Sequence, residues 1–284
     1  MDVRNAHVPR RQTDTMDSNE LASLPGINPN IPDASRIYDY TLGGTHNFEA
    51  DRQAAEYMFS MVPSTRKWVR MLRACLQTAA RRMAADGFKH WVDFASGLPT
   101  ADHVHSVMPD ARVIYTDINA LTIDSARHLL GENPRVKYME CDIRGAGEFL
   151  RRPDVESFLE GERRVALGAN AITVFLSAEE NRKFFRDLYD WAAPGSKLFT
   201  TFETKEAGLS TPKWEQFVGM FRKMGESFNL YSLPEYLDLC GPWSQDHMGV
   251  VPVSEFIGKP SGYITEEDRE GIGIEFYAVI LEKR

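Results

Sequence analysis

Three aspartates stand where short apolar runs end, and their spacing suits the recognition of one extended polar ligand. The run His90-Trp91-Val92-Asp93-Phe94 breaks into Ala95-Ser96-Gly97-Leu98-Pro99-Thr100. Val113-Ile114-Tyr115-Thr116 then ends in Asp117 and Ile118, with Asp117 twenty residues past Gly97. A strand, a small-residue turn opening a helix, and a second strand ending in a carboxylate form the layout of a nucleotide site. The turn admits backbone N–H groups to the ligand, and Asp117 accepts hydrogen bonds from a ribose diol. Asp142, followed by Ile143 and Arg144, comes after a third run, and Asn170 after a fourth.

The turn argues against phosphate. A dinucleotide sets its pyrophosphate against a helix N-terminus through closely spaced glycines. Here the turn reads Asp-x-Ala-x-Gly-x-Pro, and Pro99 removes one N–H from it. S-adenosylmethionine escapes that demand: it carries an amino-acid tail and a cationic sulfur in place of phosphate. It needs backbone contacts near Gly97, a carboxylate for its ribose (Asp117) and a polar partner for its adenine amino group, which Asp142 supplies.

These residues need a sheet to bring them together. From residue 88 onward, strand and helix patterns alternate: strands over 91–94, 113–116, 136–140, 165–169 and 197–202, with a closing strand over 274–281 and a weaker one over 250–253. Helices are expected over 101–108, from 117 to 130 with Gly131 as the stop, over 153–160 from Pro153, from 177 to 192 behind the Ser177–Glu180 capping box, and over 212–224. Alternation of this kind predicts an α/β fold, a mostly parallel sheet with helices on both faces and an antiparallel last strand. Ligands then bind beyond the carboxyl ends of the strands. Before the sheet, helices are expected over 33–42, capped by Asp33 and stopped by Gly43-Gly44, over 49–61, and from a Ser64 cap to Gly87. In the last of these Trp68, Leu72, Leu76, Ala79 and Met83 form an apolar stripe, and Arg66, Arg70 and Arg73 read as a solvated basic face. The expected organisation is a mobile polar tail over 1–31, a helical cap over 32–86 and a Rossmann-like cofactor domain over 87–284.

Composition narrows the classes. Thirty-three basic against 41 acidic residues give a formal charge of −8, which speaks against nucleic acid as partner. Cys75, Cys141 and Cys240 lie far apart without metal-ligand spacing, as expected of reduced thiols in a cytoplasmic protein. His103 and His105, two apart on an expected helix, do not share a face, so no metal pair is expected. No apolar run is long enough for a membrane span.

The segment Ala34-Ser35-Arg36-Ile37-Tyr38-Asp39-Tyr40-Thr41-Leu42-Gly43-Gly44, with Asp93-x-x-x-Gly97-Leu98-Pro99-Thr100 and Asp142-Ile143-Arg144, resembles a family of S-adenosylmethionine-dependent methyltransferases. Its members carry an N-terminal Ala-Arg-Ile/Val-Tyr-Asp-Tyr-x-Leu-Gly-Gly signature. The resemblance runs from about residue 32 to the end and implies a class I methyltransferase fold with a helical cap over the cofactor. It implies that Tyr38, Gly43 and Gly44 line that cap. The family usually has Gly where Ala95 stands, and a His near Val174 that this chain lacks.

The expected activity is in-line methyl transfer to a small-molecule acceptor, leaving S-adenosylhomocysteine. Orientation and desolvation do most of the work. A general base is needed only for an acceptor that arrives protonated, and His46, Glu203 and His247 are the candidates. Tyr38, Tyr40, Phe48, Phe175, Trp214 and Trp243 could build an apolar acceptor pocket or screen the sulfonium. Two alternatives belong to other classes: a protein that binds the cofactor without transferring methyl, such as a regulator or cyclase, and an NAD(P)-dependent oxidoreductase.

Overall fold

The computed structural model describes residues 22–23, 27–99, 103–204, 211–223, 225, 227–269 and 274–284. Most of the expected tail (1–21 and 24–26) and the start of the helix expected over 101–108 (101–102) lie outside the described residues. Three helices come first: α1 (Ala34–Leu42), α2 (Glu49–Met61) and α3 (Thr65–Ala85). Asp33 caps α1 by accepting from the Ser35 and Arg36 amides. Ser64 stands ahead of α3 but makes no cap bond; its hydroxyl donates to the Asp268 carbonyl at 2.7 Å instead.

The alternating region follows: β1 (His90–Phe94), β2 (Arg112–Asp117), α4 (Ala120–Leu130), β3 (Val136–Glu140), β4 (Ala166–Ala169), α5 (Ala178–Trp191) and β5 (Lys197–Thr204). The chain closes through α6 (Pro212–Lys223), α7 (Leu233–Leu239), β6 (Ser244–Gln245), β7 (Val251–Pro252) and β8 (Glu275–Glu282). One-turn helices at Val104–Val107, Pro153–Phe158, Val253–Phe256 and Glu266–Arg269, and the short Ala146–Leu150, fill the connections. The Ser177–Glu180 capping box opens α5 as expected. A second box, Ser232–Glu235, opens α7, which sequence periodicity had not indicated.

The strands form one sheet in the order β3-β2-β1-β4-β5-β8-β6, with β7 also paired to β8. Strands β1 to β5 are parallel, and β8 runs antiparallel against β5. Strand order reverses between β1 and β4, so the crevice beyond their carboxyl ends is the expected ligand site. This is the Rossmann-like arrangement of class I methyltransferases.

Both sheet faces are buried, which is why the strands read as nearly unbroken apolar runs. Trp91, Val113 and Phe199 point to one face, where Trp68, Leu72, Leu76, Ala79 and Met83 of α3 meet them. Val92, Ile114, Leu167 and Leu198 point to the other, against Phe184, Phe185 and Leu188 of α5. Each such side chain contributes about 1.5–3 kcal/mol through burial. Among the described residues no helix is long and apolar enough to cross a membrane.

Two features bear directly on function. Strand β5 outruns β4: Ala169 is level with Thr200, and residues 201–204 project past it, supported by β8. In addition, the basic face expected on α3 is not all solvated. Arg70 is exposed, but Arg73 is 7% exposed and lies in the interior between α3 and the sheet edge.

Candidate active site

The turn after β1 is stitched to β2. The Ser96 amide donates to the Thr116 carbonyl at 2.8 Å, and the Ser96 hydroxyl to the Asp93 carbonyl at 2.8 Å. The Thr116 hydroxyl donates to the same carbonyl at 3.2 Å, and the Tyr138 hydroxyl to the Gly97 carbonyl at 2.6 Å. Ala95 and Gly97 both take left-handed backbone conformations, at φ 51° and 65°. Glycine does so freely, whereas alanine pays about 1 kcal/mol or more. The turn therefore holds Ala95 in a conformation natural to glycine, at the cost of local strain.

Asp117 ends β2 beside that turn. Its carboxylate accepts the Asn119 amide at 2.9 Å, and the dipole of the Gly97 amide acts on it as well. Burial nevertheless raises its pKa, with Asp33 adding to the effect, so the group is short of positive partners. Next to it Ile118 is 57% exposed, one of the few large apolar side chains so placed. Asp142 caps the turn after β3, and the Arg144 guanidinium grips its carboxylate at 2.7–3.0 Å, holding its pKa below the usual range. Ile143 is buried beneath it.

At the crevice between β1 and β4, Asp93 is 2% exposed, and burial raises its pKa to about 6. Its carboxylate lies so close over Gly168 that a Cβ there would stand 2.3 Å from Oδ1. Arg73 reaches toward the same place from the first half of α3. Its guanidinium lies 5.5 Å from the Tyr38 ring and acts electrostatically on Tyr38, Asp93, His103 and Tyr115. Its Nε and Nη1 have no hydrogen-bond partner, and no carboxylate of the described residues is within ion-pair distance. A buried guanidinium with unclaimed donors is costly unless something else supplies the acceptors.

Sequence reasoning missed Arg73. It neighbours Leu72 on the apolar stripe but also continues the row of Arg66 and Arg70. Only the placement of α3, whose amino-terminal half lies at the carboxyl edge of the sheet, decides which environment it meets.

The helical cap closes over this edge. Asn119 donates to Asp33 at 3.0 Å and Thr122 to Ser35 at 3.2 Å, docking the start of α1 beside Asp117. Arg36 ties α1 to Asp51 of α2 at 2.7 Å. Gly43 has φ 90°, and a Cβ on Gly44 would stand 2.0 Å from Asp39 Oδ1, so this glycine pair closes a turn around the Asp39 carboxylate. His46 belongs to that turn: its amide donates to Asp39 at 2.8 Å, and its buried ring nitrogens lack partners. Asn170, after β4, is committed on both sides, donating to the Leu72 carbonyl at 3.3 Å and accepting from Thr201 at 3.3 Å.

On the overhang of β5, Glu203 is 4% exposed, and neither carboxyl oxygen has a hydrogen-bond partner. Nearby, Phe175, Trp214, Phe217, Phe221 and Phe228 pack with ring centroids 5.1–5.9 Å apart. His247 is not brought here. Gln245, two residues before it, pairs with Leu281 at the level of Leu198, near the opposite end of the sheet, and the His247 side chain is 87% exposed. His103 and His105 do converge, contrary to the helical argument, because His103 precedes the helix: both rings pack on Tyr115, at 5.2 and 5.7 Å. No cluster that could hold a metal occurs among the described residues.

The side chains at these strand ends are of the types that S-adenosylmethionine calls for. Asp117 can take a ribose diol, Ile118 an adenine face, and Arg73 with Asp93 an amino-acid zwitterion. Residues 22–279 match the family model described as S-adenosyl methyltransferase. Among solved structures, a protein of Thermobifida fusca YX assigned to the methyltransferases is 28% identical, with TM-score 0.79, over 92% of this chain and 98% of that one. A DUF574 family protein from Streptomyces avermitilis MA-4680 shares the fold at 24% identity and TM-score 0.77, over 89% and 98%. No curated protein matches the chain. With a family model covering the sheet, the cap and the strand ends described above, the chain belongs to the S-adenosyl methyltransferase family, and S-adenosylmethionine is its cofactor.

Proposed function

We propose that the enzyme methylates a small molecule bound between the cofactor crevice and the aromatic cluster beyond β5. The observation that carries the cofactor half is Arg73, a buried guanidinium with unclaimed donors beside an equally buried Asp93. This opposite-charge pair at the switch in strand order complements an α-carboxylate and an α-ammonium. Asp117 takes the ribose hydroxyls, Ile118 and Ile143 border the adenine, and Asp142 accepts from its amino group. Ser96 and Gly97, with Ala95, shape the backbone that approaches the amino-acid tail. Tyr38 covers the crevice from α1; Gly43 and Gly44 set the turn that aims the cap, and Asn170 fixes α3 against β5.

Bound there, the cofactor supplies an electrophilic methyl on a sulfonium. The chain's own residues hold it, exclude water through the docked cap, and present the acceptor. A small apolar acceptor is supported by the character of the neighbouring surface, an aromatic cluster joined to the turn after β4 through the Asn229 amide and the Val174 carbonyl at 2.7 Å.

Calorimetry with S-adenosylmethionine and S-adenosylhomocysteine tests the cofactor assignments. Asp117→Ala removes two hydrogen bonds to a charged acceptor and should weaken both ligands by about ten- to a hundredfold. Arg73→Met should cost a similar factor for both, but much less for 5′-methylthioadenosine, which lacks the amino-acid tail. Equal losses for all three ligands would refute the carboxylate role of Arg73.

A further inference from the structure

We propose that the acceptor is an uncharged, largely apolar molecule bearing a hydroxyl group, and that Glu203 takes the proton of that hydroxyl. The inference rests on the cofactor reading above and names the class of molecule bound beside it.

Alternation along β5 puts Glu203 on the same sheet face as Phe199, the face covered by α3 and the cap. It stands on the overhang, past the end of β4, where a ligand in the crevice would reach it. Its two oxygens are the unsatisfied atoms of an acid that is nine-tenths and more buried. The other deeply buried acids of the described residues are differently placed. Asp51 pairs with Arg36, Asp39 holds the His46 and Asn47 donors, Asp246 accepts the Met248 amide, and Asp93 accepts from the Trp91 indole and feels the Arg73 charge. Among the described residues the titratable group facing Glu203 is Tyr38 from α1, and Tyr236 from α7 feels it through the sheet from the opposite face, where it stacks on Phe202; both are neutral phenols. Burial raises its pKa to about 7, with no cation among the described residues acting against it.

Charge balance then selects the acceptor. The cofactor's carboxylate and ammonium are matched by Arg73 and Asp93 and its ribose by Asp117, which leaves the sulfonium without an anion at the methyl end, where ionised Glu203 balances it. A neutral hydroxyl acceptor keeps the methyl end neutral throughout. Its oxygen forms the bond to the methyl carbon as the carbon–sulfur bond breaks with its electron pair staying on sulfur, and its proton passes to a Glu203 oxygen. An amine that binds as its ammonium ion brings a net positive charge and no free lone pair until it has lost a proton, and a carboxylate acceptor brings a second anion beside Glu203. Both are costly in a low-dielectric site.

Proton linkage reads this without turnover. Binding of each cofactor form is measured at pH 7 in two buffers of different ionisation enthalpy. The sulfonium ligand should release about half a proton more than S-adenosylhomocysteine, because Glu203 is about half protonated there and only the cation drives it to ionise. Any contribution from Asp93 cancels, since both ligands carry the ammonium. In Glu203→Gln the difference should vanish. Equal release in the unmodified enzyme, or a difference that persists in the variant, overturns the role of Glu203. Failure of both ligands to bind overturns the cofactor reading instead.

The acceptor class is read by titrating 2-naphthol, 2-methoxynaphthalene, 2-naphthylmethylamine and 2-naphthoate into the S-adenosylhomocysteine complex. Naphthol should bind about tenfold tighter than its methyl ether, the worth of one hydrogen bond to a buried carboxyl, and Glu203→Ala should erase the gap. Preference for the amine or the acid, or binding of none, overturns the proposed class.

Discussion

At the scale of single residues, the site is a set of buried groups waiting for partners, and that has a consequence for stability. A carboxyl whose folded pKa lies above its unfolded one favours the protonated state, so its contribution is fully present below the ordinary carboxylate range. It is lost as pH rises to the folded value. For Glu203, whose ordinary value of 4.5 is raised to about 7, the window is about pH 4.5 to 7, and the loss is on the order of 3 kcal/mol. Glu203→Gln, a neutral stand-in for the protonated acid, should therefore match the unliganded parent in thermal midpoint at pH 4.5 and exceed it at pH 8. A midpoint for the variant that follows the parent's fall above pH 5 would show that Glu203 ionises without penalty. Ala95 offers a second residue-level test. Ala95→Gly relieves left-handed strain but frees the unfolded chain, so a net gain of about 0.5–1 kcal/mol is expected in denaturant titration. A loss would mean that the alanine methyl makes a contact worth more than the strain.

At the scale of elements, much was legible because both periodicities are strong here. Strand β3 and helix α2 fall on the expected bounds, and β1, β2 and β4 within one or two residues of theirs. Asp117 was legible because its place at the end of an apolar run is a sequence property. Arg73 was not, because its environment depends on how α3 crosses the sheet. Nor was the overhang of β5, which appears only when the register against β4 and β8 is known. His247 shows the converse error: a late histidine looked available, and the sheet placed it near the opposite end from the crevice. Gly168 is a further element-level constraint invisible in sequence. A Cβ there would press on Asp93 at 2.3 Å, and β4 is paired on both sides and cannot move aside. Gly168→Ala should destabilise the protein by about 1–3 kcal/mol through overpacking. It should also weaken both cofactor forms by displacing the Asp93 carboxylate, as calorimetry would record. Undiminished affinity in a folded variant would detach Asp93 from the ammonium.

At the scale of the whole molecule, the question is whether the cap is a separate body or part of the sheet's core. The boundary expected near residue 86 falls in the turn through Asp86 and Gly87, and the packing is continuous across it. The Phe88 amide donates to the Met83 carbonyl at 3.0 Å, and Trp68 stacks on Phe276 of β8 with centroids 4.4 Å apart. The apolar stripe of α3 shares one core with Trp91, Val113, Phe199 and Phe276 of the sheet, and without α3 that sheet face would be open to water. A sheet exposed in this way loses the hydrophobic term that offsets chain entropy. The cap and sheet are therefore expected to unfold together: calorimetric scans of the unliganded protein should show one transition, with calorimetric and van't Hoff enthalpies in agreement. Saturating S-adenosylhomocysteine should move that transition up as a unit, by about 2.7 kcal/mol of stabilisation at a hundred times its dissociation constant. In the proposed binding mode the ligand touches Arg73 and Tyr38 on one side and the strand ends on the other, so it would stabilise both parts together. Two resolved transitions, only one of them responding to ligand, would mean that residues 34–85 fold as a body of their own and that the crevice forms by docking instead of within one core.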